Sequence, residues 1–454
     1  ALAALALLAL ALLAAKLVLD RLETPLRRTG APAVAVPGGV SGGALRLDGH
    51  SLSRDRVPAG ETFVVDMAWT AVAPPAVDYQ SDVWLVGPDG LIWSVKGTER
   101  PRVFEDAPPS RQWLPGEWAW DSREVRVLSG APPGVYDIVV TLFDKATLQP
   151  VTLTDSATGA AVGPTAVIGA VTVVNPAAPP DFAPQYPLAV AVAPGLNLLG
   201  YNQDRATAVP GERVLLTLFW QCDAPAACAQ FDLRLEDAAG QTARAWTLPV
   251  VRPGFAAAEW PAHGRLRGQY QVQLPAGLAG GAYRFVLGQG VALEPIQVNA
   301  PQRQFTPPPL ALELNAPFTT AGGQPVATLV GLAASSSPSS ATGQTGASPC
   351  APAPPLPCSL PLVWRAGAET PTDYHVFVHL VDASGEIVAQ SDAAPANWTR
   401  PTTGWLPGEY VLDTHTLTLP ATLPEGPLTL RVGMYDPDTG ARLVSGAGDY
   451  VTIP

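Results

Sequence analysis

Two pairs of carboxylates at matching positions are the residues of this chain that come closest to a catalytic pattern. Glu117 precedes Asp121 by four residues, and Glu409 precedes Asp413 by the same spacing. Two carboxylates that flank a glycosidic bond can act as the acid and the base of a glycosidase. Both glutamates, however, end a Pro-Gly-Glu turn, where a carboxylate can accept hydrogen bonds from backbone N–H groups. The pattern therefore favours a structural role, and the sequence predicts no catalytic residue.

Histidines, which often transfer protons or bind metals, do not form a second candidate site. His375 and His379 lie on one face of a predicted strand but about 13 Å apart, which is too far for both to bind one metal. Asp413 and His415 share a strand face, a spacing that more often gives a local hydrogen bond than a catalytic dyad. The segment 436–440 (DPDTG) lacks the late glutamate of a calcium loop and indicates a β-turn. The sequence predicts no metal and no cofactor.

Aromatic rings near turns are the remaining candidates for ligand binding. Trp118, Trp120 and Tyr410 come just after the Pro-Gly-Glu turns, and Tyr410 matches Trp118 in position. An exposed aromatic ring on a sheet can stack on a sugar ring. The competing interpretation is packing, because tryptophan is highly buried on average. These three residues are the predicted carbohydrate-stacking candidates, and packing remains the alternative.

Four cysteines form two close pairs along the chain. Cys222 and Cys228 are six residues apart, and Cys350 and Cys358 are eight residues apart. We expect one local disulfide in each pair, because the two pairs fall in different predicted domains. Such disulfides are typical of extracytoplasmic proteins, and four free thiols are the alternative. A zinc site is not favoured, since neither pair is accompanied by further ligands.

One pattern recurs three times after residue 30 and determines the predicted fold class. Each copy has an apolar segment ending at a tryptophan (Trp69, Trp220 or Trp364), then a polar turn, then further alternating segments. The motif Trp-Leu-Pro-Gly-Glu begins at Trp113 and Trp405, whereas the middle copy has lost its Pro-Gly-Glu and its aspartate. Short alternating segments between turns predict antiparallel strands. The sequence predicts an all-β fold of three consecutive antiparallel Ig-like or jelly-roll-like β-sandwich domains after one N-terminal transmembrane helix.

Composition agrees with the β prediction and sets the domain boundaries. The 454 residues include 50 Pro and 42 Gly, and the net charge of −12 disfavours a nucleic-acid partner. The apolar run up to residue 19 would extend about 28 Å as a helix, which is close to the thickness of a bilayer core. Predicted linkers rich in Pro or Gly occupy 31–42, 177–190 and 301–309. The predicted regions are a transmembrane helix with a juxtamembrane segment (1–30), sandwich 1 (43–176), sandwich 2 (191–300), and sandwich 3 (310–454) with a low-complexity insert (333–361).

The third copy also resembles a known family. Its segments DYHVFVHLVDASGE, WLPGEYVLDTHTLTLP and LRVGMYDPDTGARL resemble a β-sandwich module that follows the last membrane span of certain large bacterial membrane proteins. Many of those proteins are similar to lipid-phosphosugar-dependent glycosyltransferases of the dolichyl-phosphate-mannose mannosyltransferase type. The resemblance covers most of residues 43–454 and implies an extracytoplasmic region. The family's catalytic carboxylates lie in loops between membrane spans, upstream of Ala1, so the resemblance implies no catalytic residue here.

These observations give three hypotheses about function. In the first, the chain is a non-catalytic accessory or binding region at the C-terminal end of such a membrane glycosyltransferase. In the second, it is a stand-alone membrane-anchored surface protein that binds glycan or cell-wall polysaccharide. In the third, it is a secreted hydrolase that depends on Glu409. The coding sequence upstream of Ala1 separates the first two, because the first requires further membrane spans there.

Overall fold

A computed structural model describes residues 2–19, 27–95, 108–223, 228–256, 259–261, 264–334 and 358–453. The N-terminal helix α1 spans Leu2–Leu19. Its leucines from Leu7 to Leu17 each expose 55–68% of their surface. Within the described part of the chain, no helix is long and apolar enough to cross a membrane. The predicted helix is therefore present, and its role as a membrane anchor stays a prediction.

Residues 27–174 form two sheets that share one hydrophobic core. Their strands, in chain order, are β1 (Arg27–Thr29), β2 (Val36–Gly42), β3 (Leu45–Leu52), β4 (Arg56–Pro58), β5 (Thr62–Ala71), β6 (Tyr79–Val86), β7 (Glu117–Arg126), β8 (Gly134–Asp144), β9 (Leu153–Asp155), β10 (Ala161–Gly163) and β11 (Thr165–Val174). The sheet orders are β1-β7-β5-β3-β2-β9-β10 and β4-β11-β8-β6. Val65 and Met67 of the first sheet and Val83 and Leu85 of the second are fully buried in the shared core. This is the antiparallel sandwich that the alternation predicts, with β4 added in parallel beside β11.

Residues 186–298 form two further sheets. Their strands are β12 (Tyr186–Ala193), β13 (Leu196–Gln203), β14 (Thr207–Ala208), β15 (Arg213–Cys222), β16 (Gln230–Asp237), β17 (Thr242–Pro249), β18 (Arg265–Gln273), β19 (Gly281–Leu287), β20 (Val291–Ala292) and β21 (Ile296–Val298). The sheet orders are β12-β13-β15-β18 and β14-β21-β19-β16-β17, with β20 beside β19. In β16, Phe231, Leu233 and Leu235 are buried while the residues between them are exposed or half-buried, as expected for a strand with one covered face.

Residues 310–453 form the last pair of sheets. Their strands are β22 (Leu310–Thr319), β23 (Pro325–Ala333), β24 (Cys358–Ala366), β25 (His375–Val381), β26 (Ile387–Ala393), β27 (Tyr410–Leu417), β28 (Thr429–Tyr435) and β29 (Val451–Ile453). The sheet orders are β22-β23-β24-β27 and β26-β25-β28-β29. Trp364 and Leu360 of the first sheet pack in one core with Val376, Val378 and Val432 of the second. The all-β prediction is therefore confirmed.

Two segments that were predicted as linkers contribute strands instead. Strand β2 lies within 31–42 yet pairs with both β3 and β9. A Cβ atom on Gly38 would lie 2.2 Å from the Leu47 carbonyl oxygen, so this glycine permits close strand contact rather than flexibility. Strand β12 begins within 177–190 and lies at a sheet edge, where Pro187 does not interrupt a ladder on both sides. Composition alone did not reveal these strands, because Gly and Pro at sheet edges and bulges resemble linker residues.

The chain divides into two compact units. One comprises Ala1–Asn202, Thr217–Phe231 and Pro249–Gln269, and the other comprises Gln203–Leu216, Asp232–Leu248 and Tyr270–Pro454. Residues of the predicted middle domain occur in both units, whereas the predicted third domain lies wholly in the second. The division into three domains therefore stays a prediction.

One of the two predicted disulfides lies fully within the described residues. Cys222, at the end of β15, is bonded to Cys228, and their Cα atoms are 6.2 Å apart. Both side chains are buried. Cys358, the first residue of β24, is also disulfide-bonded. Its predicted partner, Cys350, lies outside the described residues.

Candidate functional site

The repeated Trp-Leu-Pro-Gly-Glu motif forms the same local turn in both of its copies. Glu117 Oε2 accepts a hydrogen bond from the Leu114 N–H at 2.8 Å, and Glu409 Oε2 accepts one from the Leu406 N–H at 3.0 Å. Gly408 has a φ angle of 81°, a conformation that glycine adopts without steric cost. The glutamate carboxylate thus closes the turn that leads into strand β7 or β27.

The tryptophans that begin the motif are buried, and each is hydrogen-bonded to the backbone upstream of its turn. Trp113 and Trp405 each follow a short 3₁₀ turn and are 7% and 3% exposed. Each indole N–H donates a hydrogen bond to a backbone carbonyl oxygen five residues upstream, at 2.9 Å. Both rings are therefore part of the sandwich structure and do not face a ligand.

Glu409 is fully buried between two arginines. Arg303 Nη1 lies 2.5 Å from Glu409 Oε2, and Arg400 Nη2 lies 2.5 Å from Oε1. Arg303 also donates to the carbonyl oxygens of Gly404 and Ala276. Two guanidinium groups and the Leu406 N–H thus engage both oxygens of the Glu409 carboxylate. Because the side chain is also fully buried, Glu409 is poorly placed to reach a glycosidic bond.

Asp413 is 1% exposed and accepts hydrogen bonds from three directions. Trp364 Nε1 and His415 Nε2 each lie 3.1 Å from Oδ2, and the Ala396 N–H donates to Oδ1 at 2.8 Å. Because a carboxylate only accepts, His415 donates through Nε2 and its Nδ1 can accept from the Ser391 hydroxyl at 3.0 Å. Asp413 thus connects strands β24, β26 and β27 and the loop before the Pro-Gly-Glu turn.

The order Ser391–His415–Asp413 is that of a nucleophile, a base and an acid. The surrounding contacts favour a structural bridge instead. Ser391 pairs in register with Val378, a core residue, so its side chain points into the core toward the first sheet of this sandwich. His415 is 3% exposed, and Asp413 also accepts from the indole and from a backbone N–H. A buried polar network in which each member is satisfied is expected to fix the packing of the two sheets.

In the first copy of the motif, Asp121 is equivalent to Asp413 but has different hydrogen-bond and ion-pair partners. Asp121 Oδ2 accepts a hydrogen bond from the Ser81 hydroxyl at 2.5 Å, and Arg123 Nε lies 3.0 Å from Asp121 Oδ1. Arg123 stands two residues after Asp121, as His415 stands two residues after Asp413. The aspartate therefore has a bridging role in both copies, while its cationic or imidazole partner differs.

A left-handed turn after β26 exposes a tryptophan. Three successive residues have positive φ angles: Ala396 at 52°, Asn397 at 52° and Trp398 at 71°. This conformation is strained for residues with side chains, at a cost of roughly 1–2 kcal/mol each. The Asp413 carboxylate holds the Ala396 N–H, and the Trp398 N–H donates to the Ala394 carbonyl oxygen at 3.0 Å. The buried aspartate thus fixes a turn that leaves Trp398 62% exposed.

Trp398 belongs to a group of rings on the outer surface of the sheet β26-β25-β28-β29. We name this group the aromatic face; its members are Trp398, His375, Phe377, His379, Tyr435 and Tyr450. The Trp398 and His375 rings meet edge-to-face at 4.9 Å, and the His375 and Tyr435 rings do so at 5.8 Å. The guanidinium group of Arg442 lies 4.5 Å from the Phe377 ring centre and covers it. Trp398 is therefore the most exposed ring of this face, with His375 and Tyr435 half-buried beside it.

Aspartates surround His375 within this face. Burial lowers the pKa of His375, while the charges of Asp373, Asp392, Asp436 and Asp438 act in the opposite direction. His375 is therefore mainly neutral at neutral pH and does not itself neutralise these aspartates.

The predicted stacking residues Trp118, Trp120 and Tyr410 differ in exposure. Trp118 is only 4% exposed and meets Trp120 edge-to-face at 5.6 Å, so its ring faces are not open to a ligand. Trp120 and Tyr410 are half-buried, and they lie on strands of different sheets. Trp118 and Trp120 thus contact each other on one sheet and Tyr410 lies on another, and Trp398 is more exposed than any of the three.

A signal for Trp398 was present in the sequence. Trp398 stands seven residues before Trp405, whereas Asp106 and Pro253 stand seven residues before Trp113 and Trp260. A tryptophan found in a single copy of a repeat is harder to explain by the shared core than one found in all three. Its exposure depends on the turn conformation, which the sequence did not reveal.

The metal interpretation finds no support in the described residues, where no group of three or more His, Cys, Asp or Glu side chains could hold an ion. Asp436 instead accepts hydrogen bonds from the Asp438 N–H and the Thr439 hydroxyl, both at 2.9 Å. The segment 436–440 is the β-turn that its composition indicates.

Comparisons with known proteins do not identify the chain. No protein-family model matches it, and no curated protein matches it. Among solved structures, an adhesin of Yersinia pseudotuberculosis (InvE) is similar at 11% identity and a TM-score of 0.15, covering 64% of this chain and 68% of the adhesin. The ectodomain of the teleost fish polymeric Ig receptor is similar at 13% identity and a TM-score of 0.14, covering 56% and 99%. A hypothetical protein from Parabacteroides merdae is similar at 9% identity and a TM-score of 0.18, covering 93% and 100%. Scores this low carry no argument about fold or function, so both rest on the residues of this chain.

Proposed function

We propose that this chain is a non-catalytic, extracytoplasmic binding region, and that its aromatic face binds carbohydrate. The observation that carries the proposal is Trp398, which is 62% exposed and fixed in a strained turn by the buried Asp413. An aromatic ring held in place before the ligand arrives loses little conformational entropy on binding. The apolar face of a sugar ring can stack on such an indole.

A carboxylate near His375, the ring that Trp398 contacts, suits the polar groups of a sugar. Asp392 on β26 is directly opposite Phe377 in the strand register, so both side chains lie on the outer surface of the sheet. Carboxylates accept hydrogen bonds from hydroxyl groups, and a mainly apolar site with a few fixed polar groups is typical of ligand recognition. Stacking on one exposed ring predicts weak binding, with dissociation constants on the order of millimolar.

A glycan array followed by calorimetric titration of the full chain tests this proposal. We expect Trp398→Ala to abolish binding of the polysaccharides that the native chain binds. Leu412→Ala is the matched control, because Leu412 is 54% exposed on the other sheet of the same sandwich and should leave binding unchanged. If no glycan binds at millimolar concentration, or if binding survives Trp398→Ala, the aromatic face is not a carbohydrate site.

We further propose that α1 attaches this region to a membrane. The supporting observation is its row of leucines from Leu7 to Leu17, which expose apolar surface that a lipid phase would cover. Membrane fractionation of residues 1–454 expressed on their own tests this, because carbonate-resistant association should be lost when residues 1–19 are deleted. Recovery of the intact protein in the soluble fraction would contradict it.

The resemblance in the third copy extends the proposal to the C-terminal region of a lipid-phosphosugar-dependent membrane glycosyltransferase. A stand-alone membrane-anchored surface protein is the alternative. The coding sequence upstream of Ala1 decides between them. Several further membrane spans with an acidic pair in their first loop would support the glycosyltransferase, and a start codon a few residues before Ala1 would exclude it.

A further inference from the structure

The charges around Trp398 indicate which class of sugar the aromatic face would select. Asp392 Oδ2 lies 3.8 Å from His379 Nε2, and its side chain remains 34% exposed. Its charge also acts on His375, the ring that contacts Trp398, and on Tyr435, which contacts His375. Asp392 is therefore a carboxylate at the surface of the aromatic face.

The other aspartates near His375 are engaged in the fold but add to the same negative potential. Asp373 accepts a hydrogen bond from the Thr402 N–H at 3.0 Å. Asp436 accepts the turn hydrogen bonds of the segment 436–440. Asp373 and Asp436 are thus engaged in the fold, and the proposal places direct contact with a ligand at Asp392, whose side chain is partly exposed.

The arginines of this sheet do not cancel the charge beside Trp398. Arg442 covers Phe377 and forms an ion pair with Asp449 at 2.9 Å. Arg431 lies over the Tyr450 ring, 4.7 Å from its centre. Both cations are thus held against rings other than Trp398. The charge of Arg442 also acts on Tyr435 and that of Arg213 acts on Asp373, so the four aspartates near His375 are only partly offset.

We infer that the aromatic face selects an amino sugar with a free ammonium group, which stacks its ring on Trp398 and places its ammonium beside Asp392. This inference rests on the proposed carbohydrate binding. An ammonium is attracted both to the face of an indole and to a carboxylate, and partial desolvation strengthens both interactions. A neutral sugar would gain only the stacking, and a uronic acid would be repelled by the aspartates.

The experiment uses β-1,4-linked oligomers of glucosamine, N-acetylglucosamine and glucose of equal length, titrated into the full chain while the amine is protonated. We expect the glucosamine oligomer to bind about tenfold more tightly than the other two. Asp392→Asn should remove this difference and leave the weak binding of the neutral oligomers unchanged. Glu386→Gln removes one exposed negative charge from a turn of the same sandwich and should have no effect, which controls for the net charge of −12.

Each outcome has a distinct meaning. Equal affinity for all three oligomers, lost on Trp398→Ala, would overturn the amino-sugar inference and leave carbohydrate binding intact. Tight binding of the glucosamine oligomer that survives both Trp398→Ala and Asp392→Asn would indicate non-specific charge attraction. It would overturn both the amino-sugar inference and the proposed carbohydrate site. Failure of every oligomer and every arrayed glycan to bind would refute the proposed function itself.

Discussion

Replacing Glu409 by alanine should strongly destabilise the last sandwich. The carboxylate is fully buried, and it pairs at 2.5 Å with both Arg303 and Arg400, which are themselves only 15% and 14% exposed. Its removal leaves two buried cations side by side without their shared anion. Breaking a buried ion pair in this way typically costs about 3–5 kcal/mol of the free energy of unfolding.

Urea denaturation of the full chain measures this loss, and hydrogen exchange of peptides from 301–454 assigns it to the last sandwich. Glu212→Ala is the matched control. Glu212 also ends a Pro-Gly-Glu turn and accepts the Val209 N–H at 2.9 Å, but its carboxylate and the paired Arg205 are each 33% exposed. An exposed pair and one turn hydrogen bond together predict a loss of only about 1–2 kcal/mol.

A second substitution separates charge burial from simple loss of contacts. If the unpaired cations cause the destabilisation, Arg400→Met should recover part of the stability lost in Glu409→Ala, with a coupling energy of about 1–3 kcal/mol between the two changes. A loss in Glu409→Ala no greater than that in Glu212→Ala, or strictly additive effects, would refute the reasoning.

Two further predictions follow from packing and burial. Gly211→Ala should lower the free energy of unfolding by more than about 2 kcal/mol, because φ is 84° and a Cβ atom would lie 2.2 Å from the Gly404 nitrogen. Gly240→Ala is the control: φ is 79° but the space around it is open, so the loss should be about 1 kcal/mol. Urea denaturation measures both losses. Burial lowers the pKa of His50 in the folded chain below the ordinary value of 6.5. As pH falls, His50 is therefore protonated in the unfolded chain at a higher pH than in the folded chain, and the free energy of unfolding should decrease below about pH 6.5. His50→Asn should reduce this slope, and an unchanged slope would exclude His50 as its source.

The sequence determined the local features of this protein. Alternating segments between turns predicted the all-β fold, because a strand with one covered face must place apolar residues at every second position. The Pro-Gly-Glu motif predicted a turn that its own glutamate closes, because the donor and the acceptor lie three residues apart. The pair Cys222 and Cys228 was likewise predictable from its short separation.

Only the tertiary structure decided which aromatic rings are exposed. Trp118 follows a Pro-Gly-Glu turn and yet is buried, while Trp398 is exposed because Asp413, fifteen residues later, holds the turn that carries it. Glu409 has Arg303 as a partner from a segment predicted as a linker, more than one hundred residues away. Composition and spacing carry no information about such pairs, because burial and long-range hydrogen bonds arise only when distant strands pack together.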